Sequence, residues 1–284
     1  MTTTVGGAGE ARLLELIKPY ISEGAGRDDA AVLEPLDQFE VLSTDIAVEG
    51  IHFDLSWMRA EDAGWRALAL ALGDLAAKGA DPAWALVSIA LPRKWKIDDF
   101  VGLFKGMHEL ASRLSMDIEG GDMSAINGPT VVSLTVAGYT AFEPLPRSSA
   151  RPGWAVGVTG PLGASAVALR EHRVLRPQPL IEAGRRLNQG GLCCGDVSDG
   201  LVREMEKFAQ MAGIGFRLDA SMVPIADGAS LDDALTSGEE VQLVCVGPEE
   251  RMRAAGLEPI GAMKERGFTI LGVEGEKRGY DHFA

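Results

Sequence analysis

Between Asp62 and Gly79 the chain carries the run Ala67-Leu68-Ala69-Leu70-Ala71-Leu72-Gly73-Asp74-Leu75-Ala76-Ala77, which is apolar on every side of a helix. A helix of that kind has no solvent face, so the fold has to be built around it. Asp62 suits its start, and Gly79 with Pro82 supplies the stop. One carboxylate, Asp74, lies inside the run. An ionised, unpartnered carboxylate there is costly, so Asp74 needs a cation or has to stay protonated. The plainer alternative is an ion pair with an arginine elsewhere.

Around this helix the periodicities change from segment to segment. Leu13, Leu14 and Ile17 mark a first helix, and Ala31–Leu33 and Val41–Ser43 read as short strands. Val87–Leu91 and Thr130–Tyr139 are further strands, while Phe100, Leu103, Phe104, Met107, Leu110, Ala111 and Leu114 form the stripe of a helix packed on one side. Pro144, Pro146, Pro152 and Gly153 crowd into Glu143–Gly153 and suggest a boundary. Beyond it the pattern is strand 155–159, a helix from about 161, helix 181–187, strand 192–197, helix 201–211, strands 214–218 and 241–246, helix 249–255 and two closing strands. The expected class is α+β, with two mixed α/β-layer domains, 1–142 and 143–284.

Charge narrows the function. Against 41 Asp+Glu stand 27 Lys+Arg, a formal net charge of −14, which argues against a nucleic-acid partner. A polyanionic ligand has to arrive with cations. No stretch reads as a membrane span, and the N-terminal residues do not read as a secretory or transit signal. Three cysteines, Cys193, Cys194 and Cys245, lack metal-type spacing, and the first two read as packing residues in an apolar strand. A reduced, cytoplasmic protein is the expectation.

Short Asp-bearing motifs recur at expected strand ends and turns: Asp28-Asp29, Ser43-Thr44-Asp45, Gly120-Gly121-Asp122 and Asp196-Val197-Ser198-Asp199-Gly200. Histidine and cysteine are nearly absent from them. Oxygen-only donors select hard cations, so Mg²⁺ or Mn²⁺ is favoured over Zn²⁺ if the motifs converge. Taken singly, each is also ordinary turn chemistry. The P-loop, the dinucleotide-binding glycine fingerprint and the protein-kinase motifs are all missing. Gly160-Pro161-Leu162-Gly163, between a strand and a helix, is a candidate phosphate seat at a helix N-terminus. His108 falls on the polar side of its helix, whereas His52, after Gly50, is placed to meet a ligand.

Together the motifs resemble the thiamine-monophosphate kinase family, within the superfamily of aminoimidazole ribonucleotide synthetase. The resemblance is carried by Gly9-Glu10, Asp28–Val32, Ser43–Asp45 with Val48–Phe53, Leu72–Ala80, Gly120–Asp122, Arg147-Ser148, Val158–Gly163, Asp196–Leu201 and Gly279–Phe283, in order along nearly the whole chain. It implies transfer of the ATP γ-phosphoryl group to thiamine monophosphate, several Mg²⁺ ions, and a homodimer built through the N-terminal domains. It also implies Asp29, Ser43, Thr44, Asp45, Asp74, Asp122, Asp196 and Asp199 as metal ligands. Gly121, Asp122, Arg147 and Ser198 would contact ATP, and His52, Glu239 and Tyr280 would face the thiamine phosphate.

The chain departs from the family pattern at Ser237-Gly238-Glu239-Glu240-Val241-Gln242-Leu243, where Gly-Gly-Glu-Asp-Tyr-Glu-Leu is usual, and at Arg27, where glycine is common. Two alternatives therefore stand beside the kinase reading. One is another ATP-dependent enzyme of the superfamily with a different acceptor. The other is a catalytically silent protein that binds a nucleotide or a thiamine phosphate.

Overall fold

The computed structural model describes Thr4 and residues 10–21, 37–275 and 277–280. Asp28, Asp29, the expected strand at 31–33 and the terminal residues 281–284 lie outside the described residues. By its internal packing the chain divides into two compact units. The first is Met1–Leu72, Pro82–Tyr139 and Val174–Arg176; the second is Gly73–Asp81, Thr140–Arg173 and Pro177–Ala284. The division is not a single cut in the 143–153 segment: the end of the apolar helix is counted with the second unit, and a three-residue strap from beyond residue 170 with the first.

The first unit contains α1 (Glu10–Ile17), β1 (Phe39–Val48), most of α2 (Ala60–Ala77), β2 (Asp81–Pro92), α3 (Ile97–Arg113), β3 (Asp117–Ile126) and β4 (Val131–Thr140). Its sheet runs β1-β4-β2-β3, with β2 and β3 parallel. One face is buried, through Val132, Leu134, Val136, Ala85, Val87 and Ile89, and the stripe of α3, from Phe100 to Ala111, is buried with it. The opposite face is open along β1, where Leu42 is 59% and Ile46 51% exposed. Two motifs expected at strand ends sit instead inside strands: Ser43–Asp45 in β1 and Gly120–Asp122 in β3. The sequence marks Val41–Ser43 of β1 but none of β3, because the side chains of both strands are mostly exposed and no long apolar alternation runs through them.

Asp62 does more than start a helix. It is 2% exposed and accepts hydrogen bonds from Arg59 (2.8 Å) and from Arg176 of the strap (2.6 Å). Burial alone would raise its pKa, and the two guanidiniums more than offset that and hold it below the ordinary value.

The second unit adds β5 (Ala155–Val158), α4 (Ala164–Arg170), α5 (Ile181–Gln189), β6 (Cys193–Asp196), α6 (Leu201–Ala212), β7 (Gly215–Asp219), α7 (Leu231–Thr236), β8 (Leu243–Gly247), α8 (Glu249–Ala254), β9 (Pro259–Lys264) and β10 (Phe268–Leu271). The sheet order is β10-β7-β9-β5-β8-β6, antiparallel except for the parallel pair β10 and β7. Its core joins Val156, Val158, Val244 and Val246 to Leu201, Met205 and Phe208 of α6.

The cysteines do not all stay reduced, although the sequence suggests they would. Cys194 and Cys245 are register partners on β6 and β8 and are joined as a disulfide, with 4.2 Å between their Cα atoms. Directly opposed residues on neighbouring strands share a face, which is what brings the sulfurs together. Cys193 points the other way and is a buried free thiol whose pKa burial pushes up to about 11, so it packs as a neutral group.

Helix α7 was not legible as a helix, and its stability is local. Ser230 and Asp233 form a reciprocal capping box, and Arg170 bonds the same carboxylate at 2.6 Å. The Arg170 hydrogen bond, against the small cost of burial, holds the Asp233 carboxyl down at about 2. The folded-state pKa lies below the unfolded one, so this contribution is present above about pH 4 and is lost as pH falls toward about 2. We expect Ser230→Ala to cost about 1 kcal/mol at neutral pH. In thermal melts the deficit of Asp233→Asn should shrink on acidification over that window, and a deficit independent of pH would refute the assignment.

Candidate active site

In the second unit, four segments bring charged groups to the C-terminal end of β6. Asp196 ends that strand, Asp74 comes from the last turns of α2, Arg147 from a 3₁₀ turn (Arg147–Ser149), and Glu204 from the first turn of α6. The carboxyls of Asp74 and Asp196 share a hydrogen bond. Asp196 is 7% exposed, and its pKa stands well above the ordinary value. Burial is the main cause; the nearby Asp74 and Glu204 carboxylates add to it, and Arg147 opposes them.

Arg147 is held from three sides. Its Nε donates to Glu204 at 2.5 Å, its Nη2 lies 3.9 Å from Asp196, and its guanidinium sits 5.7 Å from the centre of the Phe208 ring. Lys78, one turn after Asp74, donates to the carbonyls of Cys194 (3.1 Å) and Leu145 (3.4 Å), and burial lowers its pKa. Three carboxyls thus face Arg147 and Lys78, with Lys207 a third cation 3.1 Å from Glu204. Asp74 acts by its charge on both Arg147 and Lys78, and it shares a hydrogen bond with another carboxyl, that of Asp196. Two carboxyls brought within hydrogen-bonding distance are the kind of oxygen-only donor set that suits a hard divalent cation.

The loop after β6 carries Ser198 and Asp199, and two other segments are pinned to it through the backbone. Glu239 N–H donates to the Ser198 carbonyl at 2.7 Å, and Tyr280 N–H to the Asp199 carbonyl at 2.9 Å. Glu239 and Tyr280 are therefore both neighbours of the loop that carries Ser198 and Asp199. Asp199 receives Lys207 at 2.9 Å. Glu239 adopts a left-handed backbone (φ 59°), and Tyr280 is 48% exposed.

Glu240 answers a question left by the Gly160–Gly163 turn. Its buried carboxylate accepts from the N–H groups of Gly163 and Ser165, both at 3.0 Å, and so fills the N-terminus of α4. That helix end therefore has its anion already, and it is no phosphate seat. Gln242 accepts from the Thr159 hydroxyl at 2.7 Å. The unusual residues of the 237–243 segment thus hold their own turn, which explains how the segment departs from the family pattern without losing its place.

The remaining candidates belong to the first unit. Ser43, Thr44 and Asp45 lie on β1, Gly121 and Asp122 on β3, and the sheet order puts these strands at opposite edges. A Cβ on Gly121 would collide with the Val87 carbonyl oxygen, so only glycine allows this approach of β3 to β2. Asp45 and Asp122 are exposed, and each accepts from the next backbone N–H at 2.8 Å. His52 turns back on its own loop, its Nδ1 accepting from Val48 N–H at 3.0 Å, which leaves the proton of the neutral ring on Nε2. Among the described residues no group of three or more His, Cys, Asp or Glu forms a ready metal cluster.

The family model described as "AIR synthase related protein, N-terminal domain" matches residues 27–140. The chain is 32% identical to the thiamine-monophosphate kinase of Bacillus subtilis over 311 aligned positions, covering 93% of this chain and 94% of that protein. It is 34% identical to the thiamine-monophosphate kinase of Rhodopirellula baltica, covering 82% and 78%. The chain belongs to the thiamine-monophosphate kinase family. Among solved structures, AaThiL complexed with AMPPCP and TMP superposes with a TM-score of 0.79 at 27% identity over the full length of both chains. The hydrogenase maturation protein HypE of Escherichia coli, at 19% identity and a TM-score of 0.79, shares the fold.

The elevated pKa of Asp196 yields a pH dependence of definite sign. Its folded-state pKa exceeds the unfolded one, so the contribution to stability is full below the ordinary carboxylate range and is lost as pH rises through the elevated value. In metal-free buffer we expect Asp196→Asn to remove a fall in Tm that the unmodified protein shows on going from acid to neutral pH. Identical slopes in the two proteins would exclude a raised pKa at Asp196.

Proposed function

We propose that this protein transfers the γ-phosphoryl group of ATP to the phosphate of thiamine monophosphate, giving thiamine diphosphate and ADP, with Mg²⁺. The observation that carries the proposal is the carboxyl pair Asp74 and Asp196 beside the fixed guanidinium of Arg147, in a chain whose relatives of nearly equal length are thiamine-monophosphate kinases. The acceptor oxygen is already an anion near neutral pH, so no strong general base is needed. It attacks the γ-phosphorus as the bond to the β–γ bridging oxygen breaks, and ADP leaves with the electron pair. Bound Mg²⁺ would neutralise the phosphate oxygens and let two polyanions meet.

The chain's own residues do the positioning. Asp74, Asp196 and Asp199, with Asp29, Ser43, Thr44, Asp45 and Asp122, are the proposed oxygen donors for Mg²⁺. Arg147 supplies charge-assisted N–H donors to phosphate oxygens, and 18% of its side chain remains exposed to receive them. Gly121 and Ser198 would line the nucleotide. Glu239 and Tyr280, both pinned to the Ser198–Asp199 loop, would frame the acceptor with His52, the Tyr280 ring lying against the flat cationic thiazolium at a gain of about 0.5–2 kcal/mol.

The same reading includes a homodimer. Strands β1 and β3 are separated by two others, which puts the edges about 14 Å apart at the usual strand spacing. Asp45 and Asp122 of one chain therefore do not reach one cation, whose ligands stand about 2.1 Å away. The open apolar face of β1 gives a second copy a surface to cover, and a second copy is the means by which both motifs serve one site.

The deciding experiment measures ATP consumption with Mg²⁺ and thiamine monophosphate, thiamine or no acceptor, with the thiamine products separated by chromatography. Thiamine diphosphate is expected from the monophosphate alone; ADP formed equally in all three arms would overturn the proposal. Asp74→Asn should lower turnover at least a hundredfold while the protein still folds. In sedimentation experiments the paired change Leu42→Asp and Ile46→Asp should shift a dimer to monomer, and an unchanged mass would place the interface elsewhere.

A further inference from the structure

Glu204 has no part in the acidic motifs, yet it is 0% exposed, and a wholly buried carboxylate is retained only if something holds it. Its Oε1 accepts from Arg147 Nε, and its Oε2 lies 3.1 Å from Lys207 Nζ. Lys207 in turn bonds Asp199 at 2.9 Å, and Arg147 reaches toward Asp196. Acidic and basic side chains alternate along the path Asp199, Lys207, Glu204, Arg147, Asp196, so the buried Glu204 side chain links the end of β6 to the loop that follows it.

Two features of the surroundings favour a dedicated arrangement over an incidental ion pair. Phe208 stands one turn after Glu204 on the same face of α6 and supports the guanidinium plane from a second direction. Gly195 of β6 packs against the pair: a Cβ there would collide with Glu204 Oε1 and come within 3.0–3.1 Å of the Arg147 nitrogens. The strand is bare at the place where the pair needs the room.

We propose that Glu204 is a positioning residue, which holds Arg147 at the orientation in which its remaining N–H groups meet the phosphates of the bound nucleotide. This rests on the reading of Arg147 as a phosphate ligand. Arginine has five donors in a fixed fork, and anchoring Nε fixes the plane in which the others lie. Shortening or neutralising Glu204 frees that plane without removing the positive charge.

The test is a double-mutant cycle on the full-length protein, read by calorimetric binding of AMPPCP with Mg²⁺ and by thermal melting. Glu204→Asp keeps the charge but withdraws the carboxylate, and we expect about a tenfold weaker nucleotide affinity with a cooperative melt. Glu204→Gln should weaken it at least as much, and Gly195→Ala should reproduce the effect by crowding the pair. On the Arg147→Ala background, Glu204→Asp should bring no further loss. Wild-type affinity in folded Glu204→Asp, or losses that add on the Arg147→Ala background, would overturn the proposal. A purely structural role would lower Tm and leave the affinity of the folded protein unchanged, and Glu204→Asp decides the matter if Glu204→Gln does not fold. Thiamine monophosphate turnover by the wild type is scored separately: nucleotide binding without thiamine diphosphate would overturn the proposed acceptor and leave the cycle to judge Glu204. No nucleotide binding at all would overturn both.

Discussion

A carboxyl placed where water cannot reach it has to be answered by a proton or a cation, and the second unit is organised around that requirement. Asp74 enters from α2, a helix with no polar face, and meets Asp196 at the end of a wholly buried strand. Glu204 adds a third carboxyl from α6. Arg147 from a 3₁₀ turn, Lys78 from the turn that follows α2 and Lys207 from α6 bring the cations. The groups come from segments far apart in the chain, so the cluster exists only when α2, β6, α6 and the turn after residue 145 are all in place. Fold and charge arrangement are therefore one problem: the apolar contacts of Leu201, Met205 and Phe208 hold α6 down, and the same helix carries the anion that fixes Arg147.

The 237–243 segment illustrates how a motif can change and keep its place. Two backbone hydrogen bonds tie Glu239 and Glu240 to Ser198 and Val197, and the Glu240 carboxylate supplies the anion that the end of α4 favours. An acid at position 240 is needed for that cap, whereas the side chain at 241 has no such duty. The left-handed backbone of Glu239 follows from the turn that these bonds close. The departure from the family pattern thus falls on residues that hold the turn, while the residue proposed to face the acceptor stays beside the loop of Ser198 and Asp199.

What was legible in the amino-acid sequence was whatever leaves a period in apolar residues. The helix of Asp62–Gly79 and the stripe of Phe100–Leu114 could be placed within a few residues, because both are defined by burial. Of β1 only Val41–Ser43 could be placed, and β3 not at all, since an open sheet face carries serine, threonine and aspartate at positions where an expected strand would alternate. Helix α7 is six residues long and is fixed by Ser230 and Asp233 rather than by a stripe. Cys194 and Cys245 showed no pairing signal because their proximity depends on the register of β6 against β8. The charged residues divide in the same way: the acidic motifs and Arg147 were visible as short words, and Glu204 and Lys207, which complete the ion pairs, were not.

Glu204 is the instructive case, because a signal was present. Leu201, Met205, Phe208 and Ala209 define the buried face of α6, and position 204 lies on that face, one turn before Phe208. A charged residue inside an apolar stripe asks the same question as Asp74 inside an apolar helix. For Asp74 the answer is a second carboxyl and, in the proposed function, a divalent cation. For Glu204 it is an arginine and a lysine already supplied by the chain. Glu204, wholly buried, and Asp74, partly exposed, thus have opposite kinds of partner, and Arg147 joins the part of the site that the protein fills to the part that the proposed function gives to metal and nucleotide.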